Sequence, residues 1–450
     1  MAVLLFFGLA YPHHLHYQEQ FQLFLFDGTY VREMLKQPGG IADLLGRFCT
    51  QFFLFAWVGA LIIALLLSAV QLLTFRLFTL HFSYGLSFVP SFLLWLFLLD
   101  EHALLGGVWA VLLTLLVACC IVQSTSGWTR RILLIAAIPL LYWAVGPVCF
   151  PIPIDSLWSG IHYHRYPAQF PWQLWGAAFS SFMIVGMTLL VRRKVHFSHL
   201  KPLTSYLSFA LVAIVMGCLV WKNANFKAER VMQYDFMARF QQWNRILEPV
   251  NAEKPNNQIG VTVQNLALAM HGVLLEQMAN YNQNGIAGLL PDVKEDATSP
   301  LPTAEAFYQL GMINVAQRTV FEAQEAILDF QKSGRCYKRL AQTNLINGRY
   351  AVARKYLSAL QKTLFYRDWA NETLPLLGDE EATARHPEYG RLRQSAYTED
   401  FYFSDHVTPE MLKSLYYRNK DNRLAYQYLL AYYMLTGDRE SFNQFISTQQ

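Results

Sequence analysis

The sequence has 450 residues, 54% of them apolar, six cysteines and a net charge of +4. That length allows two or three domains, and so small a charge, with no long basic block, argues against a nucleic-acid partner. Cys49, Cys119, Cys120, Cys149 and Cys218 lie in or beside apolar runs, and Cys336 stands alone in polar sequence. With neither CxxC nor a Cys/His zinc pattern, a disulfide framework and a structural zinc are both excluded.

Polarity changes near Trp221. Before it, long apolar runs carry few charges; after it, charged and amide residues recur at helical spacing. The chain therefore reads as all-α, with a polytopic transmembrane bundle over 1–221 and a soluble, helical, tetratricopeptide-like repeat domain over 222–450. A run of about 20 apolar residues crosses the hydrocarbon core as a helix. Six such runs fall at 50–73, 82–99, 103–122, 130–150, 172–191 and 203–221. The opening run, 1–11, is short for a span. It has no positive leading segment and no small-residue cleavage site before Pro12, so it reads as a first span rather than a cleaved signal. The count is about seven.

Lys and Arg in short loops stay on the cytoplasmic side. Arg76, Arg130, Arg131, Arg192, Arg193, Lys194 and Lys201 lie in one set of loops, and Arg32, Lys36, Arg47 and Arg165 in the alternating set. Seven against four places the first set inside. The first residue is then cytoplasmic, while 12–49 and everything past Trp221 lie outside. The expected arrangement is a multi-pass membrane protein with the second half outside the cytoplasm.

The loop at 12–49 carries three apolar stripes. Tyr17, Phe21, Phe24 and Leu25 form the first; Tyr30, Val31, Met34 and Leu35 the second; Ile41, Leu44, Leu45 and Phe48 the third. The first two read as short amphipathic helices in the interface plane, ended by Pro38-Gly39-Gly40. The third leads into the second span.

Past Trp221, helices are expected over 225–247 and 262–282, and near 304–314, 316–331, 335–346, 350–362, 409–419, 422–436 and 439–448. Gly348, Tyr350, Ala353, Leu357 and Leu360 stand at the spacing of a tetratricopeptide second helix, and a weaker echo surrounds Gly437-Asp438. Such pairs form either a concave partner-binding surface or an ordinary helical bundle. On the first reading Tyr350 and Tyr356 are the candidate partner contacts. The Asp379-Glu380-Glu381 cluster and the basic Arg335, Lys338 and Arg339 read as solvated faces.

No P-loop, nucleophile elbow, zincin or dinucleotide motif occurs, so no cofactor is implied. Charged groups beside the membrane become the candidates. Glu19 follows the first span, and Asp100-Glu101-His102 form a tight turn between the third and fourth. Carboxylates converging there could act as a general base and a metal or pyrophosphate site; alternatively, Glu19 caps an interfacial helix and the turn merely needs polar residues. His13, His14, His16, His102, His162 and His164 gather on the same side, without the spacing that fixes a metal geometry.

HYQEQFQLFLF (16–26), PGGIADLLGRFCTQF (38–52), NLALAMHG (265–272) and the run from 339 to 370 resemble a family of uncharacterised multi-spanning proteins of gut-dwelling Bacteroidota, nearly over the whole chain. The architecture is also similar to that of GT-C type glycosyltransferases. Those have a seven-span core, a long first outer loop with interfacial helices, an acidic residue after the first span and another after the third. That resemblance implies Glu19 as base and Asp100 or Glu101 at the phosphate side of a polyprenyl-linked sugar; the three-residue turn at Asp100 departs from it. The expected function is a membrane scaffold presenting its helical half to envelope proteins, the alternative being such a glycosyltransferase.

Overall fold

The structure is a computed structural model that describes residues 1–77, 83–125, 127–149, 171–190, 202–248, 255–292, 298–327, 331–397 and 407–448. Among them the regular elements are all helical, with no strand. The chain divides into two compact units, Met1–Glu229 and Arg230–Gln450.

In the first unit the helix Ala2–Leu5 continues as a π-helical turn, Phe6–Ala10, and stops at Tyr11. A new helix, Pro12–Glu19, starts on Pro12, whose missing N–H costs nothing in a first helical turn. Among the described residues two helices, Ala56–Leu77 and Leu105–Ser124, are long and apolar enough to cross a bilayer, and Phe88–Phe97 and the stretch Ala210–Asn223 are shorter apolar helices. Trp128–Cys149 and Trp172–Leu190 are helical as well, and Ala210–Asn223 is part of the helix Pro202–Asn223. The run expected as one helix over 82–99 is instead Ser83–Leu86 and Phe88–Phe97, with Pro90 in the first turn of the second. The loops holding His162, His164, Arg165, Arg192, Arg193, Lys194 and Lys201 lie outside the described residues.

The segment 12–49 departs from its expected form. The first helix ends at Glu19, before Phe21, Phe24 and Leu25, and 22–27 has no regular structure. Asp27 then caps the next helix, Gly28–Leu35, by accepting the N–H groups of Thr29 and Tyr30. Phe24 instead packs edge-on against the Tyr30 and Phe48 rings. The third helix, Gly40–Thr50, crosses the start of Leu105–Ser124 glycine to glycine: a Cβ on Gly46 would stand 2.5 Å from the Gly106 nitrogen.

In the second unit one turn recurs. At 268–273, 307–312, 344–349 and 433–438 the last N–H returns to a carbonyl five residues earlier. The residue before it is Gly272, Gly311, Gly348 or Gly437, each with positive φ. This is the glycine-ended helix stop. It makes hairpins of Pro300–Leu310 with Ile313–Glu325 and of Gly334–Ile346 with Tyr350–Leu360, and the neighbouring hairpins pack together. Gly311 therefore breaks the helix expected over 304–314. Three short helices, Arg367–Thr373, Glu380–Arg385 and Pro387–Ser395, occupy a stretch for which none was expected.

The basic face also differs. Arg335 is buried and makes a bidentate pair with Asp235, at 2.6 and 2.9 Å. Arg339 reaches the buried Glu305 at 2.5 Å and lies over the Tyr308 ring. Lys338 sits over Trp369, with its pKa lowered by burial and then by Arg339. Arg335 and Arg339 are internal because acids from distant helices meet them, while Lys338 is half-buried. Asp379, Glu380 and Glu381 are exposed, as the sequence suggested.

Candidate functional site

The Pro12–Glu19 helix leaves N–H groups unsatisfied at its start, as every helix does. Its cap comes from far along the chain: Glu229 accepts the N–H of His13 at 2.7 Å and of His14 at 2.8 Å. A carboxylate there also meets the positive end of the helix dipole. Beside it the Tyr11 hydroxyl accepts the N–H of Asn225 at 3.1 Å. Glu229 is buried, and burial pushes its pKa up to about 7 against the two N–H bonds that pull it down.

One helical turn apart, His14 and Gln18 hold the segment between Phe88–Phe97 and Leu105–Ser124. His14 Nε2 donates to Leu98 O at 2.9 Å, and since a carbonyl only accepts, the proton belongs on Nε2. Gln18 Nε2 donates to Asp100 O at 3.2 Å and Ala103 O at 3.3 Å. Asp100 Oδ1 takes the His102 N–H at 2.8 Å, and the His102 ring lies against Tyr17 and Phe21. The connection runs over 98–104, longer than the three-residue turn the sequence suggested. Burial lowers both His13 and His14 to about 4, so both imidazoles are neutral at pH 7. His13 and His16 face each other through Nδ1 at 3.3 Å.

Glu19 is buried at the end of this helix. Asp100 and Glu101 are half-buried. The geometry thus brings the helix carrying Glu19 onto the turn carrying Asp100 and Glu101, through His14 and Gln18. Among the described residues no three His, Cys, Asp or Glu side chains stand together as metal ligands.

In the second unit, Tyr350 donates its hydroxyl to Glu380 and accepts from Arg393 Nη2 at 2.7 Å. Tyr356 meets the Tyr337 ring edge-on at 5.1 Å. Both are half-buried and tied into their own fold. Sequence reasoning missed Glu229 and Asn225. Their only signal is polarity just past an apolar run, because the partners are more than 200 residues away.

A family model described as a family of unknown function (DUF6057) matches residues 1–450. No curated protein and no solved structure matches the chain.

Proposed function

The chain belongs to this family of unknown function, and we propose that it is a multi-pass protein of the bacterial inner membrane, with about seven spans, whose second half is a periplasmic scaffold for envelope proteins. The observation that carries the membrane reading is the apolar exterior of the first unit. Leu61, Leu65 and Leu72 on one helix, and Leu133, Leu140 and Leu141 on another, face outward. In water this surface would cost about 25 cal/mol per Å², and exposed apolar area on this scale marks a membrane or partner surface. The four recurring glycine turns support the repeat reading, since stacked tetratricopeptide-like pairs make extended concave surfaces.

The test is a set of reporter fusions together with crosslinking in cells. A fusion after Lys201 is expected to report inside, and one within the second unit outside; the reverse would sink the topology. Crosslinks from the second unit to envelope proteins should weaken in Tyr350→Ala and Tyr356→Ala at matched protein levels. Crosslinks indifferent to both changes would remove these tyrosines from the partner surface.

A second reading, a GT-C-like transferase acting on a polyprenyl-linked sugar, is favoured by the docking of the Glu19 helix on the Asp100 turn. Glu19→Gln keeps size and hydrogen bonding but removes the base, so turnover should fall about 10²–10⁴-fold with folding intact. Unchanged lipid-linked sugar consumption in both Glu19→Gln and Asp100→Asn would leave the scaffold as the better account.

A further inference from the structure

The first unit holds a half-open hollow of about 250 Å³ between Leu105–Ser124 and Trp172–Leu190, with Ile135 also on its lining. Gly107, Ala110, Val111, Thr114 and Ala118 form one wall, at the i, i+3, i+4, i+7 spacing that keeps a single face of a helix. Ala178, Ser181 and Val185 line the facing wall at the same spacing. Small side chains at these positions leave the space, and the larger Leu115, Ile135, Leu174, Trp175 and Phe182 complete the lining. Its only hydroxyls are already used: Thr114 donates to Ala110 O at 2.8 Å and Ser181 to Ala177 O at 2.7 Å. Besides these two hydroxyls the lining carries one further polar side-chain group, the Trp175 indole N–H, so the walls are apolar almost throughout.

Volume and shape narrow the occupant. Apolar cavities of ~150 Å³ already accept a benzene-sized guest, and this one is larger. Its length follows the helix from 107 to 118, roughly 16 Å at the rise of an α-helix, which suits a linear chain better than a ring system. An unfilled hollow would leave its lining without dispersion partners, while a chain arriving from lipid gives up no hydration.

We infer that this hollow is a binding site for one hydrocarbon chain of a membrane lipid. The inference rests on the membrane reading above. The full chain is reconstituted in phosphatidylcholine vesicles containing a phosphatidylcholine with a photoreactive acyl end, irradiated and mapped by peptide mass spectrometry. Insertion is checked separately by resistance to alkaline extraction. Adducts are expected to concentrate on 107–118 and 174–185 over the outward-facing Leu61 and Leu65. Ala178→Phe, which fills the hollow, should lower the first set severalfold and leave the second unchanged. Ala110→Leu on the opposite wall repeats the test if the first variant does not fold.

Uniform labelling of an inserted chain, unaffected by either variant, would overturn the inference while sparing the membrane reading. Loss of the chain on alkaline extraction would overturn both. Disulfide-linked dimers of Ala178→Cys without lipid adducts would assign the hollow to a second copy and overturn the lipid site alone.

Discussion

Glu229 and His14 stand 215 residues apart in sequence, yet the Glu229 Oε2 accepts the His14 backbone N–H at 2.8 Å. The helix that carries Glu19 is thus started by a residue from beyond the last apolar run. This bond has consequences for stability that can be measured.

Burial raises Glu229 from the ordinary 4.5 to about 7. Between those values the folded chain holds a proton that the unfolded chain has released, so this group's contribution to stability falls as pH rises and is flat above about 7. His13 and His14, lowered from 6.5 to about 4, contribute the opposite slope over their own window, so the informative quantity is wild type minus variant. Glu229→Gln should abolish the Glu229 slope while its amide oxygen keeps one of the two N–H bonds, whereas Glu229→Ala removes the cap and should cost about 0.5–2 kcal/mol. Thermal unfolding of the full chain in detergent from pH 4.5 to 8, with hydrogen exchange at the His13 and His14 amides, reads both. A difference curve flat with pH would contradict the buried cap.

Gly46 meets Gly106 where two helices cross, and a Cβ on Gly46 would lie 2.5 Å from backbone nitrogen. Backbone cannot swing aside as a side chain does. Gly46→Val should therefore destabilise the first unit by about 1–3 kcal/mol. Gly28→Ala, with open space around its Cβ position, should not. Equal melting temperatures for the two variants would refute the crossing.

The Arg339–Glu305 pair lies inside the second unit, its side chains 11% and 4% exposed. Removing one partner strands the other charge, so Glu305→Leu should cost about 3–5 kcal/mol, whereas Glu305→Leu with Arg339→Leu should cost less. A urea double-mutant cycle on the full chain measures the coupling. Additive effects would mean the two side chains do not interact.

Ala353 is fully buried five residues after Gly348, as Ala316 is after Gly311. Ala353→Leu should overpack the hairpin and cost about 1–3 kcal/mol, while Val352→Leu, at an exposed position, should be nearly neutral. Urea midpoints distinguish them, and an unshifted midpoint for Ala353→Leu would show that the position is not packed.

Local pattern made much of the second unit legible. The helices expected over 335–346 and 350–362 appear as Gly334–Ile346 and Tyr350–Leu360, because periodicity and a turn glycine act within a window of a few residues. The run expected as one helix over 304–314 is divided by Gly311, whose positive φ ends the helix at Leu310. In the first unit the sequence marked the apolar runs and pointed to Glu19, Asp100 and Glu101, but not to how their segments meet. Only the tertiary structure decided that His14 and Gln18 join those segments, that Glu229 starts the helix, and that Arg335 and Arg339 are internal. Periodicity is written in neighbouring residues. A cap or a buried ion pair depends on which distant groups the fold brings within 3 Å, and on the water that burial removes.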